Sequence, residues 1–409
     1  MAEADPIVVA GGGLGGLTTA LALAQRGRRV SVLEGAPAFG AIGYGIQFGP
    51  NVFHVFDRIG VRDAVLAQAD EPRALVLRDA LDGREVVRIP CAGLRRRFGH
   101  PYIIVHRVDV HEVLLDACRR NPLVTLVPDA MVTDFADDGA GVTVTTADGR
   151  AFRGGALIGA DGVRSRIRAA LFDDGAPTPN GYMAFRTIVP IGDVVADVDR
   201  DVVALWGGPG FHIVHYPLRH GTLLNVVAVI RRDAGSQRGD AVSYRAELDA
   251  VHRNSHPVVR SLVAMFDLDR RQAIGDRDPV RRWHRGRVVL LGDAAHPTLQ
   301  SLAQGAAMAI EDGESLAGCI AAADGFATAF RRFEADRVIR TARVTLESRH
   351  VWEIYHAAGI AREVFWQSLG ERSEPDFHQC LAWLYDGATL PASATPPRGP
   401  GTQQPTAAP

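Results

Sequence analysis

The chain has 409 residues, 47% of them apolar, with a formal net charge of −2. That length implies two or three domains around well-formed cores. A charge near zero argues against a nucleic-acid-binding surface or a polybasic membrane patch.

From the N-terminus, Ile7–Ala10 is a short apolar run ending in glycines, the pattern of a buried parallel strand. Residues 14–25 carry helical spacing that stops at Gly27, and Val30–Leu33 is a second apolar strand closed by Glu34. Together they predict a β-α-β unit. Glu3 and Asp5 precede the apolar stretch from Gly11 to Ala24, which argues against a secretory signal. Residues 51–59 predict a further helix. Residues 73–89 alternate around Asp82-Gly83 and predict a hairpin. Residues 108–119 are amphipathic and helical, while 124–127, 142–146 and 156–158 predict strands. From Gly181 to Arg232 strand patterns dominate, with turns near Gly207–Gly210 and Arg219–Gly221, which marks a β-rich unit. A helix is expected over 246–265, an apolar strand over 288–291, helices over 306–323 and 326–346, and further helix within 349–384. Residues 390–409 hold six prolines and no apolar periodicity, so they predict a disordered tail. Cys91, Cys118, Cys319 and Cys380 lie far apart without a CxxC, as reduced thiols of a cytoplasmic protein do. No segment reaches the roughly 18 uncharged apolar residues that span a bilayer.

Three motifs carry chemistry. Gly11, Gly13 and Gly16 satisfy GxGxxG directly after a strand and at the start of a helix. The first glycine permits a tight turn, the second lets backbone approach a pyrophosphate, and the third lets helix and strand pack closely. Glu34 stands where an acid meets a ribose hydroxyl. The pattern favours a dinucleotide over an empty glycine turn and does not separate NAD from FAD. The second motif, Asp161-Gly162-Val163-Arg164-Ser165-Arg166-Ile167-Arg168, follows a strand. The third, Gly292-Asp293-Ala294-Ala295-His296, follows another.

In this order and spacing the motifs resemble those of the single-component FAD-dependent aromatic hydroxylases, over roughly residues 5–385. The resemblance implies an α/β fold: a Rossmann-like FAD-binding domain (1–72, 100–178 and 277–345), a β-sheet substrate domain (73–99 and 179–276) and a C-terminal helical segment (346–389). It implies that Gly11, Gly13, Leu14 and Gly16 hold the FAD pyrophosphate and Glu34 the adenosine ribose. Arg107 would reach the phosphate region, and the backbone of Val132 the adenine. Asp161 would serve the cofactor and its reductant, with Ser165 and Arg168 fixing the turn. Asp293 would bind the ribityl chain, and the helix from Gly305 would aim its N–H groups at the flavin pyrimidine edge. Blander roles stand beside these: Asp293 as an N-cap, and Arg164 and Arg166 as a solvated helix face. Only one dinucleotide fingerprint exists, so NAD(P)H has no site of its own and, as in the family, is expected as a transient co-substrate; NADH rather than NADPH is implied by the resemblance alone. No metal is expected.

In Phe211-His212-Ile213-Val214-His215-Tyr216-Pro217, period two places His212, Val214 and Tyr216 on one strand face and His215 on the other. Histidine is suited to take a phenol's proton near neutral pH. On pattern alone a structural His and Tyr fit equally well. Residues Tyr182–Arg186, His212 with Tyr216–Arg219, Gln300 and the run Gly43–Pro50 resemble the 3-hydroxybenzoate 6-hydroxylase branch. Many relatives, salicylate hydroxylases among them, carry proline in place of Gln300 and glycine in place of Ala303. The resemblance implies that His212, Tyr216 and Gln300 face the substrate, and that NADH and O2 hydroxylate a phenolic aromatic acid para to its hydroxyl, 3-hydroxybenzoate giving gentisate. The alternatives are salicylate, 6-hydroxynicotinate or a larger natural-product aromatic, then a flavin oxidase or dehydrogenase, then a non-catalytic flavoprotein. The aromatic residues Trp352, Tyr355, Phe365, Trp366, Trp383 and Tyr385 fit either a homodimer surface or packing against the flavin domain.

Overall fold

The computed structural model describes residues 5–41, 43–232 and 241–386; the proline-rich tail lies outside the described residues. Five apolar strands lie parallel in one sheet, in the spatial order Val288–Leu290, Ala156–Gly159, Ile7–Ala10, Val30–Leu33 and Val124–Val127. His284–Arg285 pairs antiparallel at the first edge. Ile7–Ala10 and Ala156–Gly159 are buried at every position, as parallel strands covered on both faces must be. The chain runs outward from Ile7–Ala10 through Val30 to Val124, then returns to the other side for Ala156 and Val288. The order therefore reverses at Ile7–Ala10. Crevices at such reversals, outside the C-terminal strand ends, are where doubly wound sheets take ligands. The three motifs sit there, one after each of the central strands.

A seven-stranded sheet forms the second layer system. Its order is Arg271–Asp276, Thr178–Pro190, Leu223–Arg231, Phe211–Leu218, Val203–Gly208, Ala74–Asp79 and Glu85–Pro90. The last two strands form the expected hairpin. One face packs on the helices Ala241–Val251 and Pro257–Ala264 through Phe185, Trp206, Ile213, Val226, Ala228, Leu248 and Val259. The expected single helix over 246–265 is thus two. Pro257 has no N–H to continue the first helix and opens the second at its first turn. The expected helix over 326–346 runs on to His356, 31 residues in all. Its extension is tied down by Arg349, which donates to Asp276 at 2.7 Å and to Asp278 at 2.8 Å.

Helix Gly305–Ala321 joins this long helix through a buried ionic cluster. Arg337 donates to Glu311 and Asp312, both at 2.7 Å, and Arg340 donates twice to Glu311. Asn51 donates to Glu311 at 2.6 Å. Burial opposes ionisation of both acids, yet the arginine charges, with His296 beside Asp312, hold each at about 2. Two short strands, Gly45–Phe48 and Ile103–His106, pair antiparallel between the large sheets. They bring Tyr44 and Gly45 against the seven-stranded sheet, at Arg186 and Asn225.

Candidate active site

The helix Leu14–Ala24 has Gly13 at its N-cap with no side-chain cap, and its first backbone bond is from Leu17 to Gly13. The N–H groups of Leu14, Gly15 and Gly16 are thus left for a ligand. A Cβ on Gly16 would stand 2.0 Å from the Gly11 carbonyl oxygen, whereas one on Gly13 would meet nothing within 4 Å. The third glycine is therefore demanded by packing, and the second is the open side of the turn. Glu34 accepts from Gly12 N–H at 2.8 Å and Ala36 N–H at 2.9 Å. The Glu34 and Ala36 carbonyls accept from Ala130 and Asp129, which sets Val132 close to the same strand end. His111, one turn beyond Arg107, bonds to the Gly12 carbonyl at 2.8 Å and ties that helix to the glycine turn.

Asp293 lies in a single helical turn, Gly292–Ala294, and caps nothing: its side chain accepts no hydrogen bond from a described residue. The carboxylate lies deep in the protein yet remains accessible. Burial raises its pKa, while His296 and Arg107 pull it down. A Cβ on Gly305 would be 3.8 Å from its Oδ1, so Asp293 adjoins the uncapped start of helix Gly305–Ala321. Asp312 holds the turn from below, accepting from His296 at 2.6 Å and Gly292 N–H at 3.1 Å. Asp161 differs. It accepts from Ser165 at 2.6 Å and from Arg166 and Ile167 N–H at 2.8 and 3.2 Å, so it anchors the helix that begins there. Arg168 is buried and donates to the carbonyls of Ala294 and Ala295 at 3.1 and 2.6 Å. The second motif thereby positions the third. Arg164 and Arg166 are exposed, as a solvated face would be.

The other face of the seven-stranded sheet carries His212 and Tyr216, two of the residues expected to face the substrate. Register puts His212 opposite Val229 and hence Ala184, Val214 opposite Val227 and Arg186, and Tyr216 opposite Asn225 and Ile188. Paired residues share a face, so His212, Arg186 and Tyr216 lie on one surface in successive rows. His215 lies on the opposite face, stacked on Trp206 and wholly buried, with burial pulling its pKa to about 3. It is a core residue. Gln300, in the turn after Asp293, accepts from Arg186 through Oε1 at 2.7 Å. Arginine can only donate, so the amide N–H₂ of Gln300 is what remains to be offered. Leu299 and Trp352 pack over this surface. Gly45 N–H donates to Asn225 at 2.9 Å, and Tyr216 closes against Gly45 beside Gln47.

Arg186 sits deep, with its guanidinium 5.6 Å from the centre of the Tyr44 ring, and no carboxylate among the described residues bears on it; burial lowers its pKa. His212 is 1% exposed, and its Nδ1 lies 2.8 Å from Nε2 of His356. Burial, then His356, then Arg186 hold the His212 pKa well below 6.5, so the ring is neutral. Two surface clefts, one beside Arg285 and one beside Asp249, contain none of these residues.

The FAD binding domain family model matches residues 4–329. A 3-hydroxybenzoate 6-hydroxylase from Polaromonas naphthalenivorans (strain CJ2) is 41% identical over 93% of this chain and 95% of its own. The chain belongs to the FAD-dependent aromatic hydroxylases. A 6-hydroxynicotinate 3-monooxygenase of Pseudomonas fluorescens is 35% identical to this hydroxylase over 84% of the chain and 90% of its own. The crystal structure of Klebsiella pneumoniae HpxO complexed with FAD and uric acid matches the hydroxylase with TM-score 0.81 and 27% identity, over 93% of this chain and 97% of that one.

The residues present in this hydroxylase fit FAD. Two helix starts offer unpaired N–H groups to phosphate and to the flavin, the Gly13 side is open, and among the described residues nothing hydrogen-bonds the side chains of Asp293 and Arg107. Motif reading missed Arg186 as a charge in the site, His356 as the partner of His212, and His111 as the tie to the glycine turn. Arg186 was visible in Tyr182–Arg186 once strand period two is applied. His356 lies 144 residues from His212 and had no local signal.

Proposed function

We propose that this hydroxylase uses NADH and O2 to hydroxylate 3-hydroxybenzoate para to its hydroxyl, giving gentisate. The reading rests on one observation: a buried histidine and an arginine that no carboxylate among the described residues meets share one apolar-walled sheet face, and the Gln300 amide, in the turn after Asp293, closes on that arginine. FAD, when bound, supplies the electrons taken from NADH and the activation of O2. The protein's own part is to prepare the ring. His212 takes the hydroxyl proton at Nε2, and the phenolate so formed enriches its para carbon in electron density. Arg186, with Gln300 N–H₂ and Tyr216, holds the carboxylate and fixes which carbon is presented. Leu299 and Trp352 keep water from that surface. Glu34 and Val132 are assigned to the adenosine end, Arg107 and the Gly11–Gly16 turn to the phosphates, Asp161 to the anchoring of the second motif, and Asp293 with the helix from Gly305 to the flavin.

The Pseudomonas relative supports a second substrate, 6-hydroxynicotinate, which also pairs a ring oxygen with a carboxylate. Salicylate fits less well, because Gln300 replaces the proline of that branch. A cytoplasmic homodimer is part of the same reading. Trp352, Trp366 and Tyr385 are buried in their own chain, so a dimer surface would instead use Ile360 and Val364, exposed on helix Gly359–Gly370. Among the described residues no helix is long and apolar enough to cross a membrane. The test is product identification with purified FAD-loaded enzyme, NADH and a panel of hydroxybenzoates and 6-hydroxynicotinate. Gentisate coupled to O2 uptake is expected with 3-hydroxybenzoate; no substrate-stimulated NADH oxidation with any of them would sink the assignment.

A further inference from the structure

His356 ends the long helix and faces His212 across 2.8 Å, with ring centroids 4.9 Å apart. Both rings are buried. Two imidazole nitrogens at that distance share one proton, so one ring donates and the other accepts. His356 Nδ1 is buried without a hydrogen-bond partner among the described residues, so the one polar contact of that ring is the one to His212. Of the two ways to place the shared proton, the one in which His212 donates from Nδ1 to His356 Nε2 leaves a lone pair on His212 Nε2, which no described residue engages.

We propose that His356 is the positioning residue of His212: it accepts the Nδ1 proton, fixes the tautomer that offers Nε2 to the substrate hydroxyl, and carries the proton onward. The proposal rests on His212 being the base. As the substrate O–H breaks, an N–H forms at His212 Nε2. The Nδ1–H of His212 then passes to His356 Nε2, and the positive charge rests on His356. The reverse transfer returns the proton to the product's oxygen, so no external acceptor is needed. The groups around the pair explain the direction. Arg186 bears on His212 and not on His356, so moving the charge outward relieves repulsion. Tyr182 lies 4.6 Å from His356, and Tyr355 lies 5.9 Å and Trp352 5.3 Å from His212, between ring centroids. No carboxylate among the described residues bears on either ring.

The experiment compares FAD-loaded His356→Gln, His356→Phe and His212→Ala with the wild type. Without NADH, the absorbance of bound 3-hydroxybenzoate reports its ionisation as pH is raised; with NADH, kcat and KM are followed over the same range. Gln keeps a hydrogen-bond acceptor near the Nε2 position but takes no proton, so it should hold the tautomer without the relay and fall between the wild type and Phe in both the pH of ionisation and kcat. Phe keeps the volume and loses the acceptor. It should raise the pH of ionisation by about one unit or more and lower kcat at neutral pH at least about tenfold, with recovery at higher pH and little change in KM. His356→Asn, too short to reach His212, replaces Phe should the latter not bind FAD. Wild-type ionisation in the Phe or Asn variant alongside a shifted His212→Ala overturns the role of His356 alone. An unshifted His212→Ala overturns the base assignment beneath it.

Discussion

Arg186 brings a positive charge into a place where only the neutral Gln300 amide, and no acid among the described residues, answers it. A buried cation without a countercharge is costly, and an anionic substrate would offset that cost while gaining charge-assisted hydrogen bonds. Arg186→Met should therefore raise KM for an aromatic acid at least about tenfold, roughly 1.4 kcal/mol or more, while a phenol lacking the carboxylate loses much less. Equal losses for both would remove Arg186 from the carboxylate end. Gln300 belongs to the same pair, since its orientation is dictated by what arginine can donate. Period two alone places His212 and Tyr216 on one face and His215 on the other. Which of them met Arg186 depended on the strand Leu223–Arg231 lying between, and pairing partners have no local trace in sequence.

At the scale of elements, the turn Gln300–Leu302 closes on Ala303, whose N–H reaches the Gln300 carbonyl at 3.0 Å and whose φ is 53°. That left-handed conformation costs a residue with a Cβ about 1 kcal/mol or more. Ala303→Gly should raise the stability of the FAD-loaded protein by roughly 0.5–1 kcal/mol, read from its denaturation midpoint; an unchanged or lower midpoint would show that the methyl group compensates by packing. The glycine expected there from other relatives thus has a backbone reason. Most helices and strands followed their periodicity. The break at Pro257 was written in the sequence but masked by apolar spacing that continues across it. The strands Gly45–Phe48 and Ile103–His106 are four residues each and gain meaning only from one another. The long helix hid its last third because Glu347–His350 interrupts the apolar run, and distant Asp276 and Asp278 hold it.

The whole molecule stores several ionisable groups that folding holds away from their usual behaviour. Burial keeps His212, His215, His252 and His356 below 6.5, the last at about 4. A depressed histidine binds fewer protons folded than unfolded, so stability falls as pH drops below 6.5, by up to about 1.4 kcal/mol per pH unit for each. Glu311 and Asp312, held at about 2, add a second loss as pH falls from their unfolded values of 4.5 and 3.8 toward 2. Asp161, Asp293 and Asp336 are raised by burial and run the other way. The urea midpoint of the FAD-loaded protein should hold steady above pH 7, decline below 6.5 and drop more steeply below 4.5. A midpoint unchanged between pH 7 and 5 would show that the histidines are not buried as neutral rings.

The strand Phe211–Leu218 serves two masters by parity. Its even positions 212, 214 and 216 lie on the face proposed for the substrate, while Ile213 and His215 complete the core behind. New specificity can therefore be sought first at Val214, which is only half-buried on that face, whereas Ala184, Val227 and Val229 are packed against Leu299 and Trp352 and change the fold's core with the pocket. One strand thus lets a scaffold diverge among aromatic acids at a position that the core claims only in part.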